Sequence, residues 1–214
     1  MIRKSHVKCR VLVAGLGAAV LCLGLTAGRA WASPVVYTSE SAFIAALSPG
    51  YFHDNFGSLS PFNSVPLSVV SATGGTPAVT YDITAPPSGL FINNDSGFNA
   101  VGNWVQSQDM IVSLTSGNVY AIGAEFYLCD FNGVKQDGQI SISFSDGASG
   151  TATSSATGPY GFLGVIDSGL ITSMTVTHSS LGYLNMANLY LGGVPEPSSL
   201  LLLGLSALAF IRRR

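Results

Sequence analysis

Gln139-Ile140-Ser141-Ile142-Ser143-Phe144-Ser145-Asp146-Gly147 decides the fold. Apolar residues alternate with serines at a period of two. That spacing places Ile140, Ile142 and Phe144 on one face of a strand and the hydroxyls on the other. Asp146-Gly147 supplies the residue types that a tight reversal needs. Met174, Val176 and His178 alternate with Thr175, Thr177 and Ser179 in the same way. Val119 to Asp130 is longer and almost continuously apolar, as a central strand covered on both faces would be. Further short runs bounded by turn residues are Leu67 to Ala72, Ala78 to Thr84, Met110 to Leu114, Gly150 to Ser155, Tyr160 to Ile166 and Ala187 to Leu191. One helix is predicted near the start: Thr38 or Ser39 caps it, Ala42, Phe43, Ala45, Ala46 and Leu47 build it, and Pro49-Gly50 ends it. About nine strands with antiparallel patterning predict an all-β fold, a single jelly-roll-like β-sandwich with one short N-terminal helix.

Charge divides the chain into three. Five of the nine basic residues lie in the first 29 positions and three are the last three residues. Residues 33–193 hold one lysine, Lys135, against ten acids, a net charge of −9. One cation cannot displace the counterions of a nucleic-acid backbone, so nucleic-acid binding is excluded. The 161-residue middle is an ordinary size for one domain with its own core.

The N-terminus reads as a cleaved secretory signal over 1–32. Arg3, Lys4, Lys8 and Arg10 precede an apolar run from Val11 to Ala27. Ala30-Trp31-Ala32 then places small residues where signal peptidase requires them, with Ser33 as the first mature residue. Cys9 and Cys22 leave with that segment; Cys129 remains alone in an apolar run and reads as a buried, inert thiol.

At the other end, Val194-Pro195-Glu196-Pro197 precedes the apolar run Leu200 to Ile211 and then Arg212, Arg213 and Arg214. As a helix the run spans about 18 Å, short against a hydrocarbon core of about 30 Å. The arginines would stay on the cytoplasmic side. Residues 194–214 resemble the PEP-CTERM sorting signal, also described as the C-terminal domain of ice-binding proteins. The resemblance implies a transient anchor in the inner membrane of a Gram-negative bacterium that makes exopolysaccharide. It also implies recognition by an exosortase and release to the cell surface or extracellular matrix.

The middle resembles a common class of PEP-CTERM bodies in short motifs: Tyr37, Phe43 to Leu47, Asp54-Asn55-Phe56, Gly123 to Phe126, Ser145-Asp146-Gly147, Tyr160-Gly161-Phe162 and Ala187-Asn188-Leu189. Sandwiches of that class are similar to carbohydrate-binding modules. Ala187 stands where the class usually has Asp.

Catalytic chemistry is sparse. Only His53 and His178 remain in the body, no Gly-x-Ser-x-Gly elbow occurs, and no zinc-type spacing is present. Glu40 and Glu125 are its two glutamates, and Glu125 lies in the long central strand, where it must be paired, hydrated or protonated. Asp130, Asn132 and Asp137 lie in an oxygen-rich loop that reads first as a hairpin turn and second as a calcium site. Asn93-Asn94-Asp95 is a second such segment. Asn103, Trp104, Gln106 and Asp109 place an aromatic ring beside amides and a carboxylate, the residue types that a sugar site uses; a core tryptophan is the other reading. The expected protein is therefore exported, non-enzymatic and without a required cofactor, with exopolysaccharide as its partner. An envelope glycan hydrolase or lyase, and a purely structural or adhesive surface protein, are the alternatives.

Overall fold

The computed structural model describes residues 33–61, 66–76, 78–95, 97–179 and 181–193. The predicted signal peptide and the predicted tail helix, with Val194 to Pro197 and Arg212 to Arg214, lie outside them. Among the described residues no helix is long and apolar enough to cross a membrane.

The chain opens with β1 (Val35–Tyr37), helix α1 (Glu40–Ala46) and β2 (Phe52–Asp54). It continues through β3 (Val70–Gly74), β4 (Val79–Thr84), β5 (Leu90–Asp95), β6 (Phe98–Asn103), β7 (Met110–Ser116), β8 (Ala121–Cys129) and β9 (Lys135–Gln136). It ends with β10 (Gly138–Phe144), β11 (Ser149–Ser154), β12 (Gly161–Ile166), β13 (Ser173–His178) and β14 (Tyr183–Gly192). Two antiparallel sheets result, neither closed on itself. One runs β1-β12-β8-β14-β6-β5, with β2 beside the second half of β14 and β9 beside the end of β8. The other runs β11-β10-β13-β7-β4-β3.

The alternation that predicts the sandwich is the alternation that fills it. Ile140, Ile142 and Phe144 on β10 and Met174 and Val176 on β13 are buried against Ile122, Ala124, Phe126 and Leu128 of β8, in one core shared by both sheets. Ser141 and Ser143 point to solvent, and Asp146-Gly147 makes the reversal, with the Asp146 carboxylate accepting from Ala148 N (2.8 Å) and Gly147 at φ 91°. Ser39 caps α1. Burying so many Leu, Ile, Val and Phe side chains, each worth roughly 1.5–3 kcal/mol, is what holds the sheets together.

The strand inventory is corrected upward from nine to fourteen among the described residues. The omitted strands are β1, β2, β5, β6 and β9, which are short or carry Asn and Gly. Asn93-Asn94-Asp95 is the end of β5 rather than a loop, because each residue pairs in register with Ala100, Asn99 and Phe98 of β6.

β8 is buried along almost its whole length, and the reason lies on its second face. There Phe43 from α1 and Leu47 just after it pack with Ala121, Phe162 and Tyr190. Farther along, Tyr127, Cys129, Ala100 and Ala187 form a third apolar cluster. This outer face of the β8 sheet carries the sites described next.

Candidate functional site

At the far end of that outer face, four aromatic rings surround a groove of about 420 Å³. Phe91 points outward between the core residues Leu90 and Ile92 of β5. Trp104 follows β6 directly, held by its own backbone N–H to Gly89 O (2.9 Å). Tyr183 begins β14, and Phe131 stands at the tip of the β8–β9 loop, 85% exposed. The rings meet at steep angles: 74° between Phe91 and Trp104, 89° between Phe91 and Tyr183, 54° between Phe131 and Tyr183.

Glycine makes this arrangement fit. Gly102 lies opposite Phe91 in the β5–β6 register, and a Cβ there would stand 2.6 Å from the Phe91 ring and 2.6 Å from Asn185 Oδ1. Any side chain at 102 would lift Phe91 off the sheet.

The groove floor is Asn93 and Cys129. The Asn93 amide donates to the Tyr127 hydroxyl (3.1 Å), and the Asn185 amide donates to Cys129 Sγ (3.1 Å). Burial pushes the Cys129 thiol up to about 11, so it is protonated and unreactive at neutral pH. The rim is the Asp130 loop, whose shape comes from the Asp130 carboxylate accepting from Asn132 N and Val134 N, both at 2.9 Å.

The predicted site residues separate. Trp104 lines the groove. Asn103 does not: it is fully buried, donating to Gln108 O (2.7 Å) and accepting from Leu184 N (2.7 Å), so its amide serves the fold and is not available to a ligand. Gln106 and Asp109 are exposed beyond the groove's lining. Asp130 and Asn132 stand on the rim, whereas the Asp137 carboxylate accepts from Ala156 N (2.8 Å) in another loop. Among the described residues no three His, Cys, Asp or Glu side chains are grouped to hold a metal ion. Phe91, Tyr183 and Phe131 were not singled out from sequence; the outward slot between Leu90 and Ile92 is the signal that would have found Phe91.

Lys135 is already engaged. Its ammonium lies 3.6 Å from Asp95 Oδ2 and 4.9 Å from the centre of the Tyr160 ring, and Tyr160 donates its hydroxyl to the same carboxylate (2.8 Å).

Toward α1 a second, more polar cleft of about 510 Å³ holds Glu40 and Glu125 among Ser39, Thr151 and Thr153. Asn188 sits at a break in the β14–β8 register with φ 49°. Its amide donates to Glu125 Oε2 (2.5 Å), and His53 Nε2–H donates to its Oδ1 (3.0 Å). The His53 ring stacks on Tyr190 at 4.4 Å, and Tyr190 donates its hydroxyl to Glu40. Asp54, the neighbour of His53, points the other way and accepts from Tyr81 OH (2.6 Å), as alternation on a strand requires. Burial raises Glu125 above its ordinary carboxylate value; the Asn188 bond opposes that shift, the Glu40 charge adds to it, and His53 lowers it. Ala187 lies directly across from Glu125 in the register, so an Asp there would set a like charge beside it.

Residues 193–214 match the PEP-CTERM protein-sorting motif. The chain carries a PEP-CTERM sorting signal. The signal marks an exported protein that is processed by an exosortase and belongs at the cell surface or outside the cell. The sandwich meets this signal directly: β14 ends at Gly192, one residue before the match begins. No curated protein matches the chain in sequence. A solved structure described as "BiXyn10A CBM1 APO" is similar at 11% identity and a TM-score of 0.31, over 68% of this chain and 99% of that one.

Proposed function

We propose that residues 33–193 are a non-enzymatic, carbohydrate-interacting jelly roll. In this reading a signal peptide is removed after Ala32 and the PEP-CTERM tail anchors the protein briefly in the inner membrane. The body is then delivered to the cell surface or the exopolysaccharide matrix. The observation that carries it is the groove of Trp104, Phe91, Tyr183 and Phe131 over Asn93: apolar rings beside a few polar groups are what a sugar's C–H faces and hydroxyls require. The strand order supports the fold name, since β6-β14-β8-β12 against β7-β13-β10-β11 is the pairing of two four-stranded jelly-roll sheets.

Topology also suits the task. Tyr183 lies on the groove and Gly192 precedes the sorting motif, at opposite ends of one strand. At about 3.3 Å per residue they are about 30 Å apart, so polymer bound in the groove leaves the tail free for processing.

Affinity electrophoresis of the secreted protein through gels containing the host's own exopolysaccharide tests the binding. Retardation that Trp104→Ala removes is expected; equal mobility with and without polymer overturns the reading. Intact mass tests the processing: the released species should begin at Ser33 and lack Leu200 to Arg214.

The second cleft favours one alternative, a glycan hydrolase using Glu125, whose burial favours the protonated form, as the general acid with Glu40 in the same cleft. Reducing-sugar release from the same polymer, abolished by Glu125→Gln, would support that reading over the non-enzymatic one.

A further inference from the structure

We infer that the aromatic groove takes an uncharged polysaccharide and takes it as a single chain or chain end, not as a charged polymer and not as the flat face of packed chains. This rests on the carbohydrate reading above and adds the ligand's class.

Ring geometry decides the shape of the ligand. Binding a flat array of parallel chains needs several aromatic rings in one plane. Here Phe91 stands at 74° to Trp104 and at 89° to Tyr183, and Phe131 at 54° to Tyr183, so the four rings share no single plane and stand around a depression. A sugar ring enters between such walls, with its C–H faces against them and the buried Asn93 beneath. A volume of about 420 Å³ falls within the range of small-molecule sites, which run from about 300 to 1,000 Å³.

Charge decides its chemistry. Recognition of a uronate or sulfate calls for Arg or Lys, ideally desolvated and aimed at the anion. The groove's lining has neither, and it contains Asp130. Lys135 is neutralised by Asp95 and covered by Tyr160. An anionic chain would approach a body of net charge −9 and leave its own charges unpaired.

The polar groups left over fit hydroxyls. Trp104, Tyr183 and the exposed Asn132 line the groove and bring an indole N–H, a hydroxyl and an amide that make no hydrogen bond among the described residues. They combine donors with acceptors, as neutral sugar hydroxyls demand, and none carries a charge.

The test is retardation and depletion of the secreted protein with defined probes: soluble neutral glucan, mannan and galactan, polygalacturonate as the anionic chain, and crystalline cellulose as the flat face. Expected is binding to at least one soluble neutral polymer, unchanged between low and high salt and weakened about tenfold or more by Trp104→Ala. Phe131→Ala, at an exposed loop tip, should weaken binding as well while keeping the wild-type melting temperature, which guards against loss of fold in the tryptophan variant. Polygalacturonate binding that Trp104→Ala removes would overturn the neutral class and leave the carbohydrate reading standing. Depletion by cellulose without binding to soluble chains would overturn the single-chain geometry. Binding to none of these polymers or to the host's own would remove the carbohydrate reading itself.

Discussion

Replacing Gly164 by alanine should unseat helix α1. Gly164 on β12 and Gly123 on β8 are register partners on the outer face, and together they form a slot for the Phe43 ring. A Cβ at 164 would lie 2.8 Å from Phe43 Cδ2 and 3.2 Å from Gly123 Cα. The ring has nowhere to go, since Tyr37 meets it edge-on at 5.7 Å, Phe162 leans on it at 5.4 Å, and it is fully buried. Forcing one methyl into such a site costs roughly 1–3 kcal/mol. For a domain of this size each kcal/mol lowers Tm by about 2–4 °C, so a cost near 2 kcal/mol lowers it by about 4–8 °C. Phe43→Ala alone should cost roughly 3–5 kcal/mol. It also empties the slot, so the double variant should be less destabilised than the sum by about 1–2 kcal/mol. Urea unfolding of wild type, both single variants and the double variant measures the cycle. A Gly164→Ala protein within 0.5 kcal/mol of wild type, or a cycle additive to that margin, would refute the slot.

Three further outcomes follow from particular groups. Burial holds the Glu125 carboxyl above its ordinary 4.5, so the folded protein binds that proton more tightly than the unfolded chain. The stability this gives is complete below about pH 4.5 and is lost as pH rises through the folded value; Glu125→Gln should therefore gain on wild type in urea midpoint between pH 4 and pH 8, and a gap constant with pH would be the wrong result. Cys129 should resist a thiol reagent at pH 7.5 in the native protein and react at once in urea, because its thiol is buried and raised to about 11; native-state labelling at the rate of a free cysteine would contradict the packed floor of the groove. Ser39→Ala should cost roughly 1 kcal/mol in thermal unfolding through loss of the α1 cap; an unchanged melting temperature would be the wrong result.

How far the fold could be read depended on whether a strand has two unlike faces. β10 and β13 set core residues against hydroxyls, so period-two spacing exposes them at once. β8 was legible by another route: it is covered on both faces and reads as a long apolar run. β5 has apolar and amide residues on a half-covered outer face, and Asn93-Asn94-Asp95 resembles a turn until β6 is known to lie beside it. β2 and β9 are too short to show any period; they exist because β14 and β8 offer edges to pair with. Gly123 looks like a defect in a central strand until the Phe162 and Phe43 rings, the latter eighty positions earlier, are found within 3.0 Å of where its Cβ would stand.

The same logic explains why one member of the groove was visible and its partners were not. Trp104 drew notice by its type and by the amides around it, yet Asn103 belongs to the fold, joining the Gln108 turn to β14 through two backbone bonds, and Gln106 is exposed beyond the groove. What places Trp104 in a groove is a set of rings from β5, the β8–β9 loop and β14, distant in sequence and brought together by sheet order. The Phe91 ring occupies space that a side chain at position 102 would need, a relation that only register creates. A local search for aromatic-amide clusters therefore finds one ring of such a groove and not the others. Knowledge of which strands are neighbours is the step that turns a lone tryptophan into a groove with walls and a floor.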